Sequence, residues 1–481
     1  MQLFVLAALL FAVLVGATTW NTVLGASGYR DKPSNRRELI EEQKVPRGLI
    51  LARDGRTVLA RSVPEGSGQR RTYVRRYPPG SLFSQPVGYS FLRNGRRSLE
   101  ESRNGVLSGE EDEFESLLSQ LEQRRREGLD VVTNLDVEGQ RVATAALAGR
   151  KGAVVALEPK TGRVRVMVST PSYDANRIPT DFAALNRDAD KPLLNRSTQE
   201  LYPPGSTFKV VTAAAALDSG EFTPQTFVDG SSPKTISGAP LANAGGQSFG
   251  AISLTDALTN SVNTVWAQVG LGLGGTTLVR YMDRFGFGAD PKLDYPDDQL
   301  TASGIRNADG RLVRGDAGFD IGRVAIGQGG EEGQVLATPL QMALVAGTVA
   351  NGGNLMKPRL TDRVVDADGR VREQIEPDLQ NRVISRKAAS ELTAMMGRVV
   401  EEGTGTAAAL AGIPVAGKTG TAEVGANREF TQPWFIGFAP LDDPKVAVAV
   451  TLERQPAGSS GGQTAGPIAR DVIQTLLGGG G

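Results

Sequence analysis

A hydroxyl and an amine stand three residues apart at the end of a Pro-Pro-Gly turn in Tyr202-Pro203-Pro204-Gly205-Ser206-Thr207-Phe208-Lys209. The alanine-rich run Val210 to Leu217 follows with helical composition. The turn therefore feeds a helix and puts Ser206 at its N-terminus, where backbone N–H groups and the helix dipole stabilise developing negative charge. Lys209, one turn on, shares that face. Serine is a poor nucleophile until a neighbouring base takes its proton, and a lysine can do so once burial and nearby cations lower its pKa. The chain has no histidine and no cysteine, which removes the usual general base, thiolate catalysis, disulfides and zinc–cysteine sites. An acyl transfer or hydrolysis here must run on lysine, carboxylate or tyrosine. By itself S-x-x-K recurs by chance, with the serine only capping a helix and the lysine solvated.

Two downstream clusters give the pair a context. Asn260-Ser261-Val262-Asn263-Thr264 falls between two helix-like runs, where Ser261 could relay a proton and Asn263 could donate to a substrate amide. Val415-Ala416-Gly417-Lys418-Thr419-Gly420-Thr421-Ala422-Glu423 reads as a strand edging a cleft, with Gly420 letting a peptide backbone come close. The same spellings occur elsewhere without that context. Tyr77-Pro78-Pro79-Gly80-Ser81 echoes the first motif but has Ser84 where the lysine belongs. Lys160-Thr161-Gly162 lies in a hairpin turn, and Ser102-Arg103-Asn104 lies in the N-terminal region. All three read as structural. Order and context, not spelling, single out Ser206.

The elements that must hold these residues fill a chain of 481 residues, long enough for two or three folded units. Basic and acidic residues balance at 53 each, so bulk charge steers the protein to neither nucleic acid nor an anionic surface. Met1 to Val15 is almost continuously apolar and the run decays to about Leu24, so residues 1–25 read as a membrane anchor with Trp20 at the interface. A cleaved signal peptide is the rival reading, but no basic leader precedes the apolar stretch. Arg30, Lys32, Arg36 and Arg37 follow it, against the positive-inside rule for an extracytoplasmic flank; a start codon assigned too late would remove that conflict. Residues 26–46 read as a juxtamembrane linker.

Residues 47–130 read as an irregular α+β pedestal. It opens on a strand closed by the Asp54-Gly55 turn and includes a helix-like stretch from about Glu110 to Arg126. Residues 131–481 form the largest unit. It begins with a short strand over Asp130 to Asp136 and a helix over Val137 to Ala148. Next comes a hairpin of Gly152–Leu157 and Arg163–Ser169, and a helix over Pro467 to Leu477 ends the unit. Helices and apolar strands alternate without a regular βα period, which favours an α+β fold.

S-x-x-K, then S-x-N, then K-T-G, in that order, resembles the signature of penicillin-binding proteins and serine β-lactamases. Further stretches extend the resemblance to class B penicillin-binding proteins over nearly the whole chain: Asn195-Arg196-Ser197, Gly327-Gln328-Gly329, Ala337-Thr338-Pro339-Leu340-Gln341-Met342-Ala343, Ala350-Asn351-Gly352-Gly353, Gly403-Thr404-Gly405 and Trp434-Phe435-Ile436-Gly437-Phe438-Ala439-Pro440. The chain looks most similar to the elongation-type group with a short pedestal and no PASTA repeats.

The resemblance implies a membrane-anchored pedestal of the dimerisation-domain kind and a transpeptidase domain with an antiparallel sheet covered by helices. It also implies a peptidoglycan D,D-transpeptidase, inhibited by β-lactams, with no metal or organic cofactor. Ser206 would attack the penultimate D-alanine of a donor stem peptide and Lys209 would take its proton. Ser261 and Lys418 would pass a proton to the leaving amine, and Asn263 would hold the peptide. The N–H groups of Ser206 and Thr421 would form the oxyanion hole, and Thr419 with Thr421 would bind the carboxylate beside Gly420. Gln328 and Trp434 would line or support the site.

Many relatives carry a histidine before the tryptophan, where this chain reads Thr431-Gln432-Pro433. The expected partners are stem peptides, β-lactams, the membrane and a SEDS-type glycosyltransferase, with the catalytic domain outside the cytoplasm. A β-lactamase is disfavoured because Ser261-Val262-Asn263 is not S-D-N. A D,D-carboxypeptidase differs only in using water as acceptor. A non-catalytic β-lactam sensor or scaffold would not need Ser206, Lys209, Ser261 and Lys418 together.

Overall fold

The structure is a computed structural model that describes residues 2–20, 43–68, 71–109, 127–313, 315, 318–330, 333–425 and 429–478. The helix expected from about Glu110 to Arg126 and most of the 26–46 linker lie outside the described residues. Gln2–Thr19 forms helix α1, with Phe4, Leu10, Phe11 and Leu14 exposed. Its 18 residues rise roughly 27 Å, against the ~30 Å hydrocarbon core of a bilayer. Among the described residues no helix is long and apolar enough to cross a membrane.

The pedestal is built on β1 (Ile50–Leu51), β2 (Val58–Glu65), β3 (Thr72–Arg76) and β4 (Asp130–Thr133). The Asp54-Gly55 turn between β1 and β2 forms as expected, with Asp54 accepting from the N–H groups of Arg56 and Thr57 and Gly55 at φ +65°. Glu100, fully buried, binds Arg75 at 2.5 Å and Arg47 at 3.1 Å. Burial alone would raise its pKa, but the two guanidiniums outweigh it and hold the carboxyl below the usual range. An expected boundary between residues 130 and 131 would cut β4, and the sheet does not stop there. Beyond β4 it continues into β7 (Thr361–Val365) and β8 (Val371–Gln374), giving the order β8-β7-β4-β1-β2-β3. Pedestal and catalytic unit therefore share one sheet.

The catalytic unit opens with helix α2 (Val137–Leu147), capped by Asp136, whose side chain accepts from the Gly139 N–H. The hairpin β5 (Gly152–Leu157) and β6 (Val164–Thr170) follows. The core helices are α3 (Lys209–Asp218), α4 (Leu254–Thr259), α5 (Asn263–Arg284), α6 (Pro339–Ala350) and α7 (Arg386–Glu401). Strands β9 (Ala416–Val424), β10 (Phe430–Ala439) and β11 (Val446–Leu452) complete an antiparallel sheet of order β9-β10-β11-β5-β6, and α8 (Gly461–Gly478) closes the chain.

Strands β5, β6 and β11 are buried at every position, as expected where helices cover both faces of a sheet. Period-2 alternation decides which face each side chain serves. Val154, Ala156, Val448, Val450 and Phe435 pack with α2 and α8. Their neighbours Val155, Leu157, Ala447, Ala449 and Ile436 join the larger core with α3, α5, α6 and α7. The terminal helix starts at Gly461, six positions before the expected Pro467. Proline lacks the N–H that an interior helical position uses and reads as a start signal, whereas here the helix simply runs through it.

Candidate active site

Ser206 lies in a 3-10 turn, Gly205–Phe208, and α3 begins at Lys209. In that geometry side chains at i and i+3 eclipse, so the turn aligns Ser206 with Lys209 more directly than the expected α-helical start. Three contacts clamp the turn. Tyr202 and Ala337 exchange backbone hydrogen bonds of 3.0 and 2.8 Å, Gly205 N–H donates to the Gly327 carbonyl at 3.0 Å, and Trp434 Nε1 donates to the Pro203 carbonyl at 3.0 Å. Gly205 has φ +52°, and a Cβ on Gly327 would lie 1.9 Å from the Gly205 oxygen. Both positions therefore require glycine. Trp434 is fully buried and packs edge-on against Tyr202, so it supports the turn from beneath.

Lys209 is fully buried inside a helix whose residues from Lys209 to Leu217 are all buried. Its Nζ donates to the Ser261 carbonyl at 2.7 Å, to Asn263 Oδ1 at 2.7 Å and to Ser261 Oγ at 3.3 Å. All three acceptors are neutral. Burial, then the Lys418 ammonium, push the Lys209 amine well below the ordinary lysine range. Lys418 is also fully buried on β9, donates to the Thr419 carbonyl at 3.0 Å, and is pushed down to about 7 by burial. Among the described residues neither lysine forms an ion pair. Removing an amine from water without a counter-charge favours its neutral, base-competent form.

Ser261 sits in the link between α4 and α5 with φ +57°, a left-handed conformation that side chains seldom adopt. Strain of this kind persists only where surrounding contacts fix it, and here Ser261 N–H donates to Leu258 and Val262 N–H to Ala257. Asn263 opens α5. Its Oδ1 serves Lys209, and its Nδ2 donates to the Ala242 carbonyl at 3.0 Å, so one of its two amide protons is committed inside the protein.

On the edge strand β9, the Thr419 hydroxyl lies 2.6 Å from that of Thr404, and Thr421 Oγ1 accepts from the Gly461 N–H at 3.1 Å. A Cβ on Gly420 would lie 2.7 Å from the Pro204 oxygen, 2.9 Å from Thr207 Cγ2 and 3.1 Å from Trp434 Cβ. Gly420 thus permits a close approach of β9 to the Pro204–Thr207 turn.

Ser206, Ser261, Asn263, Gln328, Thr404, Thr419, Gly420 and Thr421 line one cleft of about 460 Å³, with Lys209 and Lys418 buried behind it. The residues singled out in sequence therefore converge. Thr404, Ser460 and the first turn of α8 (Gly461 to Gln463) also line the cleft and had been given no role; the sequence signal for Thr404 was its place between Gly403 and Gly405.

The look-alike motifs do not reach the site. Lys160 pairs with Asp443 at 2.7 Å, Thr161 bonds Glu158, and Gly162 makes a turn at φ +71°. Ser102 donates to the Asp294 carbonyl, and Asn104 accepts from Arg47. Of the Thr431-Gln432-Pro433 stretch, within which relatives are expected to carry a histidine, Gln432 is buried and donates to Thr451 Oγ1 at 2.7 Å.

Comparison with known proteins places this geometry. Residues 152–474 match the family model of the penicillin binding protein transpeptidase domain, and residues 47–131 match that of the penicillin binding protein A dimerisation domain. The peptidoglycan D,D-transpeptidase PbpA of Mycolicibacterium smegmatis is 36% identical, over 97% of this chain and 96% of its own length. Among solved structures, penicillin-binding protein A from M. tuberculosis, as a ceftriaxone acyl-enzyme complex, superposes with a TM-score of 0.81 at 32% identity, covering 91% of this chain and all of that one. The D,D-transpeptidase domain of a peptidoglycan glycosyltransferase from Eggerthella lenta does so at 0.78 and 33%, covering 90% and 99%.

Proposed function

The chain belongs to the penicillin-binding protein transpeptidase family, and on that premise we propose that it is a peptidoglycan D,D-transpeptidase working through an acyl-serine at Ser206. The observation that carries the reading is Lys209, buried without a counter-charge and one 3-10 turn from Ser206. Neutral Lys209 takes the Ser206 proton as Oγ attacks the carbonyl carbon of the penultimate D-alanine. The N–H groups of Ser206 and Thr421 hold the resulting oxyanion. Pro433, which has no N–H, stands opposite Thr421 in the β9–β10 pairing, which suits a Thr421 N–H turned to the open edge of the sheet.

Collapse of the intermediate breaks the peptide bond. The proton held by Lys209 returns through Ser261, with Lys418 alongside, to the departing D-alanine amine. The amine of a second stem peptide then attacks the acyl-serine carbonyl and restores the Ser206 hydroxyl. Asn263 positions the donor, and Thr419 and Thr421 hold its carboxylate. The helix α1, apolar from Leu3 to Val15, belongs in this reading to the anchor expected over residues 1–25 of a single-pass protein whose catalytic unit faces the wall, and the pedestal meets a membrane-embedded SEDS-type glycosyltransferase.

Turnover tests the assignment. Given a donor pentapeptide stem, the full-length protein in detergent should release one D-alanine per cross-link, and adding an acceptor amine should raise dimer at the expense of hydrolysed tetrapeptide. D-alanine release that yields only tetrapeptide whatever the acceptor concentration would show a carboxypeptidase.

A further inference from the structure

We propose that Thr404 is the third hydroxyl of the carboxylate subsite, a positioning residue that orients Thr419 toward the terminal carboxylate of a donor peptide or β-lactam. The inference rests on the acyl-serine reading above. Thr404 Oγ1 lies 2.6 Å from Thr419 Oγ1, and both residues line the cleft that contains Ser206. Thr419 is nearly buried, whereas Thr404 is exposed.

A hydroxyl carries one proton and accepts on two lone pairs. Two hydroxyls bonded to each other therefore spend one proton internally and leave one for a ligand. If Thr404 donates to Thr419, the Thr419 proton faces the cleft. If the bond runs the other way, Thr404 supplies the cleft proton itself. In either sense Thr419 has a defined rotor only while Thr404 is there, and the pair offers an anion one directed donor.

Exposed threonines usually wag, but the backbone of this one is fixed on three sides. Thr404 N–H donates to the Thr259 carbonyl, at the end of the helix that leads to Ser261. A Cβ on Gly403 would lie 2.5 Å from the same Thr259 oxygen, and one on Gly462, in the first turn of α8, would lie 2.3 Å from the Thr404 oxygen. Gly405 N–H donates to Val399 on α7. The Gly403-Thr404-Gly405 stretch is thus a rigid mount wedged between α4, α7 and α8, and it places one hydroxyl against β9.

The test compares acylation of the full-length protein by benzylpenicillin and by its methyl ester, which lacks the carboxylate charge. Thr404→Val keeps the shape and removes the hydroxyl. It should lower the acylation efficiency on the acid by about tenfold, the scale of one hydrogen bond to a charged group, through weaker binding at an unchanged limiting rate. On the ester the variant should match the parent within about twofold, and Thr404→Ser should restore the acid rate. Equal losses on acid and ester would reduce Thr404 to a packing role and overturn the inference, as would no loss on either. A parent protein that neither compound acylates would instead overturn the acyl-serine reading itself.

Discussion

Two lysines, Lys209 and Lys418, are fully buried and form no ion pair among the described residues, and the proposed mechanism ties the pH response of the cleft to their protonation. In the proposed mechanism Lys209 must be neutral to accept the Ser206 proton, and burial with the Lys418 charge favours that form. Acylation by a β-lactam should therefore rise with pH, with its inflection well below the ~10.4 of a free lysine. A rise that starts only near that value would contradict the assignment of Lys209. Stability follows the same sign. Below about 7, where Lys418 is protonated, the penalty of its buried charge is fully present. Between there and the free-lysine value the unfolded chain binds more protons than the folded one, so stability rises with pH. Melting curves across that window should show a shallower rise for Lys418→Met than for the parent.

At the scale of elements, the cleft is the seam between an edge strand and a 3-10 turn, and glycines set its width. Gly420 brings β9 against Pro204 and Thr207 of the nucleophile turn. Gly420→Ala should force strand and turn apart, costing about 1–3 kcal/mol of stability, and should slow acylation by about a hundredfold through misplacement of Ser206. Thermal melting and benzylpenicillin acylation rates measure both effects; an unchanged rate would mean that the seam does not position the serine. Much at this scale was legible beforehand. The hairpin of β5 and β6, the edge strand β9 and the Ser261 link were readable because continuous apolar runs and turn residues are local signals. The 3-10 turn was not, because a Pro-Pro-Gly entry fits an α-helical start equally well. Nor was the left-handed Ser261, which closes the end of α4 through bonds from Ser261 and Val262 back to Leu258 and Ala257, a cap usually marked by glycine or asparagine rather than serine.

The whole molecule shows where sequence reading stops. The boundary expected near residue 130 rests on the change of composition there, and the dimerisation-domain family model ends beside it at residue 131; what that reading leaves out is that β7 and β8, more than 200 residues later, join the pedestal sheet. Pairing at that separation leaves no local trace. The joint is reinforced by Asp294, which accepts from the N–H groups of Leu360 and Thr361 and from Arg103 of the pedestal, and by Tyr295, whose hydroxyl meets Ser98 at 2.6 Å. Pedestal and C-terminal unit are thereby tied together by side-chain hydrogen bonds as well as by the shared sheet. The central claim, that the protein presents Ser206 as an acylatable nucleophile, is tested most directly by intact-mass spectrometry of the full-length protein after incubation with benzylpenicillin, beside Ser206→Ala. The parent should gain the mass of one whole penicillin, because ring opening expels nothing, and the variant should gain none. An unmodified parent beside surviving drug, or an adduct that persists in Ser206→Ala, would contradict the account.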